Sequence, residues 1–194
     1  MNNKLQGKDF INIGIFTAIY FVIIMAAGML GVIPIFIPLL SVIVPLLGGI
    51  PMMLYFSKVK KFGMITIQGF LSGVLMMVGG MGYWCVGTFL VAAFICDLIL
   101  KVDDYKNAKK GIIAYGVYAT SVIGAFIPII LTRESYHENL ATNGFGVEYA
   151  DTLMSYMPDW ILPVLLVASF VCGVIGGGIG QKIFKKHFER AGIV

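Results

Sequence analysis

Stretches of about twenty predominantly apolar residues, nearly free of charge, recur along this sequence of 194 residues and dictate the solvent it folds in. A helix of that length crosses the hydrocarbon core of a bilayer. Only 12% of the residues are charged, about half of what a soluble domain carries. So little polar surface does not coat a water-soluble globule, and lipid is the expected solvent for much of the chain. Six spans are predicted, over about 10–31, 38–57, 63–81, 84–100, 111–131 and 159–181. The first run, from Phe10 to Leu30, is longer than the core of a cleavable signal and no A-x-A site follows, so it is expected to be retained.

The second span carries the most punctuation. Pro34 and Pro38 are expected to shape a connection or a short re-entrant turn, and Pro45 and Pro51 to kink the helix. Membranes tolerate such prolines where neighbours satisfy the freed carbonyls.

Basic residues set the orientation. Lys4 and Lys8, then Lys58, Lys60 and Lys61, then Lys101, Lys106, Lys109 and Lys110, then Lys182, Lys185, Lys186 and Arg190 fall on alternate connections, 13 of the 14 basic residues; Arg133 stands alone on the opposite set. This alternation predicts an even number of crossings with both termini in the cytoplasm. The expected fold class is an all-α membrane protein, a single transmembrane domain over 1–194 built as a six-helix bundle. Its one long outer loop, 132–158, is acidic and aromatic, and Val147 to Met157 is expected to form a short helix there. Loops of such length are usually functional. The basic residues form short clusters at the ends of apolar runs, without a basic face, which argues against nucleic-acid binding.

The motifs each admit a plain structural reading. Gly14-x-x-x-Ala18 on the first helix opens a groove for another helix backbone, either inside this bundle or on a partner. Gly69-x-x-x-Gly73 and the cluster Gly173, Gly176, Gly177, Gly178 and Gly180 share that ambiguity. The last cluster fits neither a dinucleotide fingerprint nor a P-loop, since no strand precedes it and Ile183 follows Lys182. Any ATP-driven step therefore falls to other subunits. Asp97 is the one acid inside an apolar run: a functional carboxylate, or an i,i+4 partner of Lys101 at the inner boundary. Tyr83, Trp84 and Trp160 fit an interfacial aromatic belt or a stacking wall for a flat ligand. His137, with Tyr136 beside it and Arg133 one helical turn away, is either a solvated loop histidine or a ligand to haem iron; no other metal site is expected. Cys85, Cys96 and Cys172 lie in apolar runs without a CxxC and read as small buried hydrophobes. Hydrolase signatures such as H-E-x-x-H and G-x-S-x-G are missing, so the chain is not expected to be an enzyme, and no intrinsic cofactor is expected.

Lys8 to Ile23 (KDFINIGIFTAIYFVI), Pro51 to Gly63 (PMMLYFSKVKKFG) and the glycine-rich last helix before a basic tail resemble the Trep_Strep group of integral membrane proteins. That group looks like the substrate-binding S components of energy-coupling factor (ECF) transporters. The resemblance implies a bacterial cell-membrane subunit of an ABC-type importer that binds a vitamin-like micronutrient from outside. Its partners would be a membrane coupling protein (the T component) and two ATPase subunits, which hydrolyse the ATP. It also implies that the small-residue motif Gly14 and Ala18 docks the coupling protein, and that cargo sits toward the outer side. Tyr83, Trp84, Arg133, Tyr136, His137, Tyr149, Tyr156 and Trp160 are the expected substrate-binding residues. Some members appear linked to haem uptake, which keeps His137 and Tyr136 open as iron ligands. A stand-alone ion-coupled carrier leaning on Asp97, or a non-transporting membrane adaptor, are the alternatives.

Overall fold

The structure, a computed structural model, describes residues 4–188 and side chains as far as 186. Arg190 of the basic tail and the side chain of His187 lie outside the described residues. Among those residues every regular element is helical. Five helical stretches are long and apolar enough to cross a membrane: Gly7–Val32, Phe36–Lys58, Met64–Met81, Trp84–Lys101 and Ile161–Lys186. They contain α1 (Gly7–Gly28), α2 (Phe36–Lys58), α3 (Met64–Met76) and α4 (Trp84–Lys101), and, after the shorter helices described next, the last helix of the chain.

The span expected at 111–131 is broken into α5 (Ala108–Ala119), a 3-10 stretch (Thr120–Ala125) and α6 (Ile127–Leu131). The local chemistry accounts for the break. Pro128 has no N–H to offer the Gly124 carbonyl. The Thr88 hydroxyl, on α4, donates to the Ser121 carbonyl at 2.9 Å and satisfies it from outside the helix. The expected loop 132–158 is instead a helical hairpin, α7 (Arg133–Thr142) and α8 (Val147–Tyr156), with α8 where the sequence suggested it. The described residues end in α9 (Ile161–Ile183) and a one-turn π extension (Phe184–Phe188).

The order of packing is α1 on α2 and α3, α3 on α4, α4 on α5, and α9 between α5 and α2. Small residues permit the closest of these approaches. A methyl group on Gly176 would overlap the Pro45 carbonyl, and one on Gly49 would overlap the Gly176 backbone, so α2 and α9 meet backbone to backbone. Gly173 faces Gly116 and Ala119 of α5, and Gly69 and Gly73 receive Ala93, Phe89 and Val86 of α4. Gly69 and Gly73, and Gly173, Gly176, Gly177 and Gly180 of the α9 cluster, are internal packing, whereas Gly178 meets no neighbour within 4 Å. Of the prolines in α2, Pro38 falls in the first turn, where its missing N–H costs nothing. The Pro45 carbonyl accepts from the Tyr115 hydroxyl at 2.7 Å. Tyr20, Phe89 and Tyr118 fill the middle of the bundle edge to face, with Tyr20 and Tyr118 centroids 5.4 Å apart.

The lysine-bearing connections gather at one end. Here Asp97, fully buried, accepts from the Gly63 N–H at 2.8 Å, the Thr66 N–H at 3.2 Å and the Thr66 hydroxyl at 2.8 Å through one oxygen. The Tyr105 hydroxyl donates to the other oxygen at 2.8 Å. The expected pairing with Lys101 is not formed: its ammonium lies over the Phe62 ring, 4.7 Å from the centroid. The carboxylate serves the exposed backbone donors at the start of α3, a stronger use for a buried charge than a lysine that can reach water. Gly63 holds φ +95°, which turns its N–H toward Asp97.

Candidate functional site

At the end opposite the lysines, the α7–α8 hairpin lies over an apolar patch of Val122, Phe126, Ile129 and Leu165, into which α8 inserts Leu153 and Met157. Arg133 fixes the hairpin's geometry. Its guanidinium donates to the Met157 carbonyl at 2.6 Å and the Met154 carbonyl at 2.7 Å, and reaches Asp159 at 3.3 Å. The Met154 carbonyl also accepts from the Met157 N–H at 3.3 Å, so Arg133 reinforces the end of α8. Across the hairpin His137 Nε2 and Asp151 Oδ1 are 2.7 Å apart. The Tyr149 hydroxyl donates to the Gly31 carbonyl in the connection between α1 and α2.

Between the hairpin and the bundle lies a pocket of about 420 Å³. Tyr136, Asn139, Asn143, Phe145 and Tyr149 line one side; Gly31, Val32, Gly80 and Met81 line the other. The floor segment Met77–Met81 is a π turn in which Gly80 takes φ +90°. Phe145 and Tyr149 pack ring on ring with centroids 4.8 Å apart. Burial pushes the phenols of Tyr136 and Tyr149 above their ordinary range, and Tyr136 adds to the effect at Tyr149. Both therefore stay protonated hydrogen-bond donors at neutral pH. The lining includes no charged side chain. The arrangement offers an aromatic face, the Tyr136 phenol and the Asn143 amide; the Tyr149 hydroxyl is engaged by Gly31, and the Asn139 amide donates to the Ser135 carbonyl and accepts from Asn143.

The expected binding residues divide. Tyr136 and Tyr149 meet in this pocket. Arg133 and His137 sit beside it with their polar atoms engaged inside the hairpin. Tyr83 and Trp84 stack on each other, centroids 5.2 Å apart, along a separate apolar groove of about 560 Å³ on the flank between α4 and the broken helix. Tyr156 and Trp160 are exposed. Asn139, Asn143 and Phe145 were not singled out from the sequence. Tyr136, Asn139, Leu140 and Asn143 fall at i, i+3, i+4 and i+7, one face of a helix, a pattern visible only once 133–142 is read as helical. Among the described residues no group of three or more His, Cys, Asp or Glu side chains converges to hold a metal ion.

Gly14 and Ala18 occupy the outer surface of α1. Both are exposed, and a methyl group on Gly14 would meet nothing within 4 Å. Unlike the packed glycines of α3 and α9, this pair is not used inside the bundle.

No curated protein and no solved structure matches the chain. The Trep_Strep family model, described as a hypothetical bacterial integral membrane protein, matches residues 7–190. A chain with five apolar helices of spanning length, matched over nearly its whole sequence, belongs to the Trep_Strep family of bacterial integral membrane proteins.

Proposed function

We propose that this protein is the substrate-binding S component of an ECF-type importer and that its cargo enters the pocket beneath the α7–α8 hairpin. The observation that carries the reading is that pocket: walled by aromatic rings and amides, roofed by a hairpin, and placed at the end of the bundle away from the lysines. The positive-inside rule makes that end the outer one. The broken α5–α6 segment counts as the sixth crossing in this reading. Its Gly111 lies against Met53 and its Pro128 side chain against Gly82, at opposite ends of the bundle. Lys4 and Lys185 then share the cytoplasmic side.

The exposed Gly14–Ala18 groove supports docking of a coupling protein, because a helix backbone approaches closely only where side chains are small. ATP would be hydrolysed by partner subunits, and the chain itself would bind rather than catalyse. The pocket chemistry favours a flat, uncharged or weakly charged ring of vitamin size. A haem cargo has less support: His137 is engaged with Asp151, and no cation lines the pocket to pair with the propionates. The ion-coupled carrier also has less support, because all the bonds made by Asp97 serve the connections at the lysine-rich end.

The test is purification from native membranes, mass spectrometry of the bound small molecule, and an absorption spectrum. A ring compound without a Soret band, lost in Phe145→Ala, is expected. Uptake that persists without any ATPase subunit would reject the importer reading, and a Soret band would return haem to the pocket.

A further inference from the structure

A second cavity, of about 340 Å³, opens at the lysine-rich end among α2, the α4–α5 connection, α5 and the end of α9. It is two-faced. Met53, Phe56 and Leu100 form an apolar wall, while Lys106, Gln181 and Lys185 stand on the polar side. Three other lysines at this end are already engaged. Lys61 pairs with Asp9 at 2.7 Å, Lys110 with Asp103 at 2.8 Å, and Lys101 lies over Phe62. The ammonium groups of Lys106 and Lys185 and the amide of Gln181 have no partner among the described residues. Among the described residues no carboxylate lines the cavity. In the α4–α5 connection Asp103 is taken by Lys110 and by the Asn107 amide, and the exposed Asp104 is not among the lining residues.

Two cations facing one cavity, without a partner among the described residues, call for an anion with several acceptor oxygens. The apolar wall beside them calls for a hydrocarbon stem on the same molecule. Lysine clusters at the inner boundary of a membrane protein sit at the depth of lipid phosphates. We propose that this cavity binds a phosphate-bearing anion, namely the headgroup of an anionic phospholipid. Its glycerol and upper acyl carbons lie on Met53 and Phe56, and its phosphate lies between Lys106 and Lys185. The lipid would bridge the α4–α5 connection to the end of α9, both of which line the cavity.

The inference concerns the opposite end of the molecule from the cargo pocket and stands without it. It is tested on the full chain in detergent by native mass spectrometry and thermal unfolding, with added phosphatidylglycerol, phosphatidylcholine or soluble glycerol phosphate. Phosphatidylglycerol is expected to stay bound and raise the Tm, and the other two to do neither. Lys106→Gln with Lys185→Gln should weaken retention about fivefold per lysine. Lys109→Gln with Lys182→Gln, outside the cavity, should leave it unchanged. Equal loss in that control pair would mean diffuse surface attraction and overturn the proposal. So would equal retention of phosphatidylcholine. Stabilisation by glycerol phosphate alone would make this a site for a soluble anion and reject the lipid.

Discussion

The hydroxyl of Tyr149 on α8 donates to the carbonyl of Gly31, joining the hairpin to the α1–α2 connection 118 residues away in sequence. The bond lies on the rim of the pocket, so opening the hairpin means breaking it. Tyr149→Phe keeps the ring that packs on Phe145 and removes only the donor. A stability loss of about 1 kcal/mol is expected. Hydrogen exchange should rise in the backbone around Gly31, and cargo should dissociate faster. Unaltered exchange there would show that the hairpin is held by its apolar underside alone.

Asp97 ties the start of α3 and the α4–α5 connection to α4. Asp97→Asn keeps the shape but turns an amide N–H₂ toward groups that are themselves donors. A loss of about 2–3 kcal/mol is expected, read as a lower Tm in detergent, with Asp97→Ala more severe. A proton-coupled carrier makes the opposite expectation, a stable protein that no longer transports. Full stability of the asparagine variant with lost uptake would favour that alternative.

Much of the bundle was legible because hydrocarbon thickness and lysine placement are coarse constraints that sequence states directly. Four of the five long helices begin and end within about three residues of the expected spans, and the last runs past its expected end at 181 to Lys186. The fifth expected span broke at Pro128, a local signal, and through Thr88 reaching across from another helix, a tertiary bond with no local signature. The hairpin was hidden for a different reason. Residues 133–142 have few apolar side chains, so periodicity is faint, and their helix is held by Arg133 reaching carbonyls more than 20 residues on. Asp97 was flagged as unusual, but its partners are backbone N–H groups and the hydroxyls of Thr66 and Tyr105, which sequence cannot rank against a lysine four residues away. In the pocket, tyrosines announce themselves by type, whereas Asn139 and Asn143 matter only through the face they share.

Glycine cluster members in α9 should differ sharply in tolerance. Gly176→Val would drive methyls into the α2 backbone at Pro45 and Leu46. Separating the two helices is expected to cost about 2–3 kcal/mol or to prevent recovery of folded protein. Gly178→Val meets no neighbour within 4 Å and should fold normally. Size-exclusion profiles and Tm values of the pair decide the matter; similar behaviour would contradict the backbone-to-backbone packing.

The groove at Gly14 and Ala18 separates folding from assembly. Because both face outward, Ala18→Trp fills a surface groove without displacing the core. The variant should match the parent in yield, Tm and cargo affinity, yet fail to co-purify with coupling subunits or to support uptake. Co-purification at parental levels would place the docking surface elsewhere, and a collapse in Tm would mean that the groove serves the bundle itself.

The pocket and the flank groove offer competing platforms for a ring, and single substitutions distinguish them. Phe145 and Tyr136 line the pocket under the hairpin, whereas Trp84 lines the groove between α4 and the broken helix. Loss of one aromatic contact is worth about 1–1.5 kcal/mol, roughly five- to thirteen-fold in affinity. Phe145→Ala should therefore weaken cargo binding by about that factor, and Tyr136→Ala by more, since it also removes a buried donor. Trp84→Ala should leave affinity unchanged, because its ring stacks on Tyr83 and faces away from the pocket. Isothermal titration with the co-purified compound gives the comparison directly. A pattern in which Trp84→Ala is the damaging change would move the cargo to the flank, where a ligand would enter from the lipid rather than from under the hairpin.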